Sequence, residues 1–362
     1  ALLHLLATPP EAFDMALTYL RVIFVAMPAS LLSVMMMMGL RGTGDARTPL
    51  IFMILSVAID LVLNPVLILG LGPIPAMGIG GSAAATAAAG FVSLIALVIY
   101  TYAKDLPLRL RGAELGYLKP AMDEMRVLST KGLPMGLQMI VMSTSGLVMI
   151  GLVNREGFLV TAAYGAAQQI WTYLQMPAMA MGAAVSAMAA QNIGAGRWDR
   201  ISRITGYGIS YLLAITGAMV VVILIFHEAL LALFLSHNQA VIDAAWNMQL
   251  LASWSFMLFG CTMILFGVMR ANGVVVAPLL ILVFTLFAVR LGFYYLAYPR
   301  IGADALWLSF PVGSAVSLTL AALVYWQGGW RKAKLMVPMH EEECREAVHS
   351  ETEPAGRIAP TG

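Results

Sequence analysis

Residues 41–49 read RGTGDARTP and residues 270–278 read RANGVVVAP, with an Arg, a Gly three residues on and a Pro eight residues on at both places. Each stretch separates two long apolar runs, so each reads as a turn between helices. The recurrence of Arg41, Gly44 and Pro49 as Arg270, Gly273 and Pro278 reads as a duplication. Glycine permits the bend, and a proline at a helix start gives up an N–H that has no helical partner in any case. Sliding the chain by the same interval, 229 residues, also brings Asp14 onto Asp243, Leu6 onto Leu235 and Leu2 onto Leu231 without a gap.

The runs around these turns set the class. The 362 residues are 60% hydrophobic and only 11% charged, with a mean hydropathy of +0.84, whereas soluble domains carry about 25% charge. The composition is that of an integral membrane protein. Stretches able to cross a bilayer, about 20 residues each, fall near 13–40, 48–70, 79–103, 132–153, 160–190, 204–226, 243–269, 275–297 and 303–327. This predicts nine helices in an all-α polytopic membrane protein. A barrel would show alternating segments of about ten residues, and these runs are continuous. Cys261 lies in an apolar run and Cys344 in the polar tail, so no disulfide is expected.

The net charge of +2 says little, but the placement of the 21 Lys and Arg is strongly one-sided. If the helices alternate in direction, only Arg155 and Arg300 reach one side, Arg21 and Arg290 fall within predicted helices, and all the others share the opposite side. By the positive-inside rule that side is cytoplasmic. The expectation is a multi-pass protein of the plasma (inner) membrane with both RxxGxxxxP turns and the C-terminus inside.

In the second copy, about 99 residues, 131–229, precede the point that matches residue 1. The repeat therefore predicts a complete protein of twelve helices in two parallel sixes, an architecture known among secondary transporters. The chain is expected to lack the first two helices and most of the third. The organisation read from the sequence is an N-terminal lobe at 1–103, a cytoplasmic linker at 104–131, a C-terminal lobe at 132–328 and a polar tail at 329–362. The linker, with charges of both signs, suits an amphipathic surface helix. The tail suits disorder.

GLRGTGDARTPL at 39–50, DLVLNPVLILGLGPIPAMGIGGSAAAT at 60–86 and QNIGAGRWDR at 191–200 together resemble the multidrug and toxin extrusion (MATE) family, and the likeness runs from residue 1 to about 330. The resemblance implies two six-helix lobes around a central cleft that opens alternately to either side. It also implies export of organic, often cationic, compounds driven by Na⁺ or H⁺. No cofactor is expected beyond that coupling ion, and no metal beyond a Na⁺ at Asp60. The expected partners are the lipid bilayer and small organic substrates, with no nucleic acid, and the chain is expected to be monomeric.

Asp60 is the one carboxylate near the middle of a predicted helix, twelve residues past Thr48 and so about 18 Å deep. A carboxylate at that depth is costly unless it is protonated, paired or bound to a cation, which is the property a coupling site uses. The alternative is a structural Asp paired within the bundle. Asn64 shares its face one turn on, and Pro65 opens the hydrogen-bond ladder beside it. In the family this helix usually carries Asn and then Asp at this spacing, and here the order is reversed. The next helix offers Ser82 and Thr86, although GIGGSAAATAAAG at 78–90 is equally a run of small residues for close packing. Gln138, Gln168, Gln169 and Gln175 are amides at membrane depth, suited to lining the cleft or to bonding across helices. Trp171, Tyr173 and Trp254 suit stacking on cations, and flexible methionines suit a promiscuous cavity. Arg290, near Tyr294, Tyr295 and Tyr298, reads as a snorkelling residue beside an aromatic belt.

Two other functions fit the sequence less well. An exporter or flippase for lipid-linked precursors or polysaccharide, of related architecture, calls for a strongly cationic cleft, and only Arg21 and Arg290 lie mid-helix. An intramembrane enzyme is disfavoured, because no HExxH or GxSxG occurs and no His lies mid-helix.

Overall fold

A computed structural model describes residues 10–70, 75–110, 112, 122–232 and 239–332. Among the described residues there is no strand, and the chain divides into two compact units, Ala1–Lys119 and Pro120–Gly362.

The first unit contains α1 (Pro10–Gly42), α2 (Arg47–Leu69) and α3 (Gly78–Ala103). Helix α3 packs on both of the others. The small residues predicted to allow close packing do so: a Cβ built on Gly81 would lie 2.5 Å from the Leu67 carbonyl oxygen. The N–H of Met77 bonds to the same oxygen at 3.0 Å. Leu40, Phe52 and Leu97 form a small core, over which Tyr100 meets Phe52 edge-on at 5.4 Å. The buried Ser93 hydroxyl ties α3 to the Phe52 carbonyl of α2 at 2.9 Å. Leu61, Val62 and Met35 are among many large apolar side chains that remain exposed, as suits contact with lipid.

The second unit runs α4 (Met122–Val153), α5 (Phe158–Gly194), α6 (Trp198–Ile225), the short α7 (His227–Ala232), α8 (Gln239–Ala252), α9 (Ser255–Ala271), α10 (Val276–Val283), α11 (Arg290–Ile301) and α12 (Asp304–Gln327). Helices α5 and α9 cross at glycine, a Cβ on Gly267 lying 2.6 Å from the Gly182 carbonyl oxygen. One core gathers Trp171, Tyr164, Phe256 and Trp307, and the other Ile264, Phe266, Leu212 and Met269. Between α10 and α11 the helix widens into a π segment at Phe284–Val289.

Both quoted turns are built alike. Gly44 N–H bonds to the Arg41 carbonyl at 3.1 Å and Asp45 N–H to Leu40 at 3.0 Å. At the second turn Gly273 bonds to Arg270 at 2.9 Å and Val274 to Met269 at 3.0 Å. This paired pattern closes a helix on a left-handed residue, and Gly44 and Gly273 have φ of 94° and 75°. Pro49 and Pro278 are each the third residue of the following helix, within the turn whose N–H groups have no helical acceptor.

Several boundaries differ from the sequence reading. Among the described residues, seven helices are long and apolar enough to span a membrane, or eight if α8 and α9, bent by 43°, form one broken span. The predicted helix at 160–190 is present as α5, a helix of 37 residues, but its amides and glycines keep it out of that set. The last part of the expected linker is already helical, since α4 starts at Met122, and residues 113–121 lie outside the described residues. The tail does not begin disordered: Gly329–Lys332 is a 3-10 turn, Trp330 is buried, and its carbonyl accepts from Asn272 Nδ2 at 2.7 Å. Residues 333–362, Cys344 included, and residues 1–9 with Leu2 and Leu6 lie outside the described residues. Cys261 is buried and unbridged.

Candidate functional site

In the first unit, the mid-helix carboxylate meets the hydroxyl offered by the facing helix. Thr86 Oγ1 donates to Asp60 Oδ1 at 3.0 Å across α2 and α3. The close approach at Gly81 places these side chains within reach. Asp60 is half-buried and Thr86 exposed. Asn64, one turn after Asp60, and Ser82, one turn before Thr86, are half-buried; neither bonds to the pair, and neither makes any side-chain hydrogen bond among the described residues. Pro65 has no N–H to give the Leu61 carbonyl, four residues back and adjacent to Asp60. One carboxylate, a hydroxyl, an amide and a carbonyl without a helical donor thus share one short stretch. Such an oxygen set suits a hard cation.

In the second unit a cavity of about 440 Å³ opens among α4, α5, α9, the π segment, α11 and α12. Gln168 and Gln175 line it, as expected of cleft amides, together with Ser145, Ser255, Ser314 and Ser317. Gln138 does not. It is buried, and its Nε2 donates to the Val275 carbonyl at 3.0 Å, fastening α4 to the turn before α10. Gln169 and Tyr173 are also absent from the lining; Gln169 Nε2 donates to the Tyr173 hydroxyl at 3.4 Å on an exposed face. Trp171 lines the cavity but is only 2% exposed. Its indole N–H donates to Gln249 Oε1 at 2.8 Å and Ser253 Oγ at 3.3 Å. Its ring packs against Phe310 at 5.0 Å, Phe256 at 5.8 Å and Tyr164 at 5.9 Å. It is a core residue whose edge reaches the cavity, rather than a free stacking platform. Trp254 is 46% exposed and outside the lining.

The largest departure is Arg290. Instead of snorkelling outward it is 8% exposed and lines the cavity. Its Nε bonds to Ser309 Oγ at 3.3 Å, and its guanidinium lies 3.5 Å over the Phe310 ring. The π segment ends immediately before it. A π turn takes up an additional residue and so re-aims the side chains beyond it, and the hydroxyl of Thr285 within it bonds back to the Ile281 carbonyl at 2.7 Å. Of the three tyrosines expected to form a belt, Tyr294 is buried, while Tyr295 and Tyr298 are exposed.

The family model MatE matches residues 1–66 and 134–296. The probable multidrug resistance protein YoeA of Bacillus subtilis is 35% identical over 336 residues, covering 92% of this chain and 72% of that protein. The chain belongs to the MATE family. Another Bacillus subtilis relative, the probable multidrug resistance protein YpnP, is 29% identical over 92% of this chain and 73% of its own length. A crystal structure of MATE in complex with MaL6 superposes with a TM-score of 0.80 at 20% identity, over 88% of this chain and 71% of that one. This likeness confirms the all-α fold.

For this MATE chain, then, the structure joins Asp60 with Thr86 and gathers Gln168, Gln175 and the edge of Trp171. It sends Gln138, Gln169 and Tyr173 elsewhere. Sequence reasoning missed Asp45, whose Oδ1 accepts from the N–H groups of Arg47 and Thr48, each at 3.0 Å. The Thr48 hydroxyl, and then its N–H, hold that carboxyl below its usual value. The signal was an Asp two residues ahead of a helix start. It also missed Arg290, for which the tyrosines gave a misleading neighbourhood.

Proposed function

We propose that this MATE chain works in secondary active multidrug efflux, exporting organic, often cationic, compounds in antiport with Na⁺ or H⁺ by alternating access. The observation that carries the reading is the Asp60–Thr86 contact, a carboxylate midway along an apolar helix with a neutral donor as its hydrogen-bond partner. An ionised carboxylate in such surroundings is costly. A proton or a Na⁺ removes that cost, with Asn64, Ser82 and the Leu61 carbonyl as further oxygen sources for the metal ion. Loaded and empty sites then differ in free energy, and a differential of this kind is what biases a two-state equilibrium. YoeA and YpnP, both named probable multidrug resistance proteins, support the substrate class. The cavity with Gln168 and Gln175 is the candidate substrate surface in the second unit.

The proposed setting is the plasma (inner) membrane, with the turns at Gly44 and Gly273 and the C-terminus on the cytoplasmic side, and with the protein acting as a monomer. An exporter of lipid-linked precursors would need several cations facing one cavity, and Arg290 is the one basic residue in this lining. The test is ethidium efflux from loaded vesicles, with a Na⁺ gradient and an H⁺ gradient imposed separately. Efflux that follows one gradient assigns the ion, and efflux indifferent to both contradicts antiport.

A further inference from the structure

Arg290 is a buried cation with no matching anion among the described residues. Its Nε leans on Ser309 Oγ, which is neutral and donates its own proton to the Leu306 carbonyl. One face of the guanidinium is covered by Phe310. Nη2 is enclosed without a hydrogen-bond partner, and no ion pair involves Arg290 among the described residues. The cavity it lines contains no Asp or Glu. Guanidinium does not shed its charge, and an unpaired buried charge is strongly unfavourable. The remedy must come from something that enters. Phe310 covers the guanidinium, Tyr164, Phe256 and Phe259 line the same cavity, and its serines and glutamines offer neutral hydrogen bonds.

We infer that this cavity binds the acidic group of an aromatic acid, with Arg290 pairing to the carboxylate and the aromatic wall holding the ring. A guanidinium presents parallel N–H groups that match a carboxylate fork, and a carboxylate partner supplies the acceptor that Nη2 lacks. The inference adds acidic aromatic compounds to the substrates of the proposed exporter and rests on that reading only for its transport meaning; binding stands by itself.

The experiment uses three compounds of nearly equal shape, radiolabelled 2-naphthoate, 2-naphthamide and 2-naphthylmethylammonium, in equilibrium binding to the purified chain. On the unaltered protein, naphthoate binds about ten- to a hundred-fold more tightly than the amide, and the ammonium binds most weakly. Arg290→Gln removes the naphthoate advantage and leaves amide binding within about two-fold, and Arg290→Lys keeps part of it. Equal affinities on the unaltered protein overturn the inference without recourse to any variant, as does a loss in Arg290→Gln that is the same for all three compounds. Ethidium efflux is read separately. Efflux without naphthoate preference overturns this inference alone, whereas naphthoate preference without gradient-driven efflux overturns the export reading alone.

Discussion

Gly81→Ala tests whether the close crossing of α2 and α3 is what positions the candidate coupling site. The added Cβ would lie 2.5 Å from the Leu67 carbonyl oxygen, 2.7 Å from its carbon and 3.0 Å from the Ile68 nitrogen, all backbone atoms that cannot swing aside. To reach ordinary contact the helices must part by about an ångström, and overpacking of this kind costs about 1–3 kcal/mol. The same displacement stretches the 3.0 Å bond between Thr86 and Asp60 toward about 4 Å, outside hydrogen-bonding range. Gly90→Ala is the control, because its Cβ meets only Ser30 Oγ at 4.0 Å. There the helical preference of alanine should stabilise by about 0.5–1 kcal/mol. Thermal unfolding of the purified chain should place Gly81→Ala below the unaltered protein and Gly90→Ala at or above it, with gradient-driven efflux impaired in the first alone. If the two variants unfold together, Gly81 does not set this crossing.

Four further substitutions test the fold around the sites. Gly44→Ala and Gly273→Ala each force a β-carbon onto a left-handed residue, φ 94° and 75°, at about 1–2 kcal/mol apiece; a cost at one turn and none at the other, measured by thermal unfolding, would count against equivalent turns. Asp45→Ala should cost about 0.5–2 kcal/mol as a lost helix cap. Because the folded carboxyl is held below its ordinary value of 3.8, the gap between unaltered and variant protein is full above that pH and closes as pH falls through the lower folded value. A gap that widened in acid would refute the capping. Trp171→Phe deletes the N–H shared by Gln249 and Ser253 and should destabilise by about 1–3 kcal/mol, read by denaturant unfolding; a neutral result would return Trp171 to the role of a free cavity wall.

Legibility in the sequence followed how local the physical cause is. The turns could be read because a left-handed residue and a helix-starting proline are demanded by the backbone itself, so Gly44 and Pro49, like Gly273 and Pro278, carry the requirement in their own identity. Asp60 could be read because a carboxylate in an apolar run is expensive wherever its helix packs. Thr86 was legible only as a candidate beside Ser82, since the choice between them depends on the rotation of α3 against α2. Arg290 was misread because its inward aim depends on a π segment, and nothing in FTLFAV at 284–289 distinguishes π from α winding. Gln138 and Trp171 were open for the same reason: an amide or an indole at membrane depth bonds to whatever the fold brings, here Val275 and Gln249.

The central claim is that a cation exchanging at Asp60 drives export. The direct measurement is ethidium efflux from vesicles under an imposed Na⁺ or H⁺ gradient, comparing the unaltered protein with Asp60→Asn, which keeps the shape and an acceptor for Thr86 but removes the charge. If Asp60 couples, the folded variant loses the dependence of efflux on the gradient. Gradient-driven efflux of undiminished rate in Asp60→Asn would contradict it.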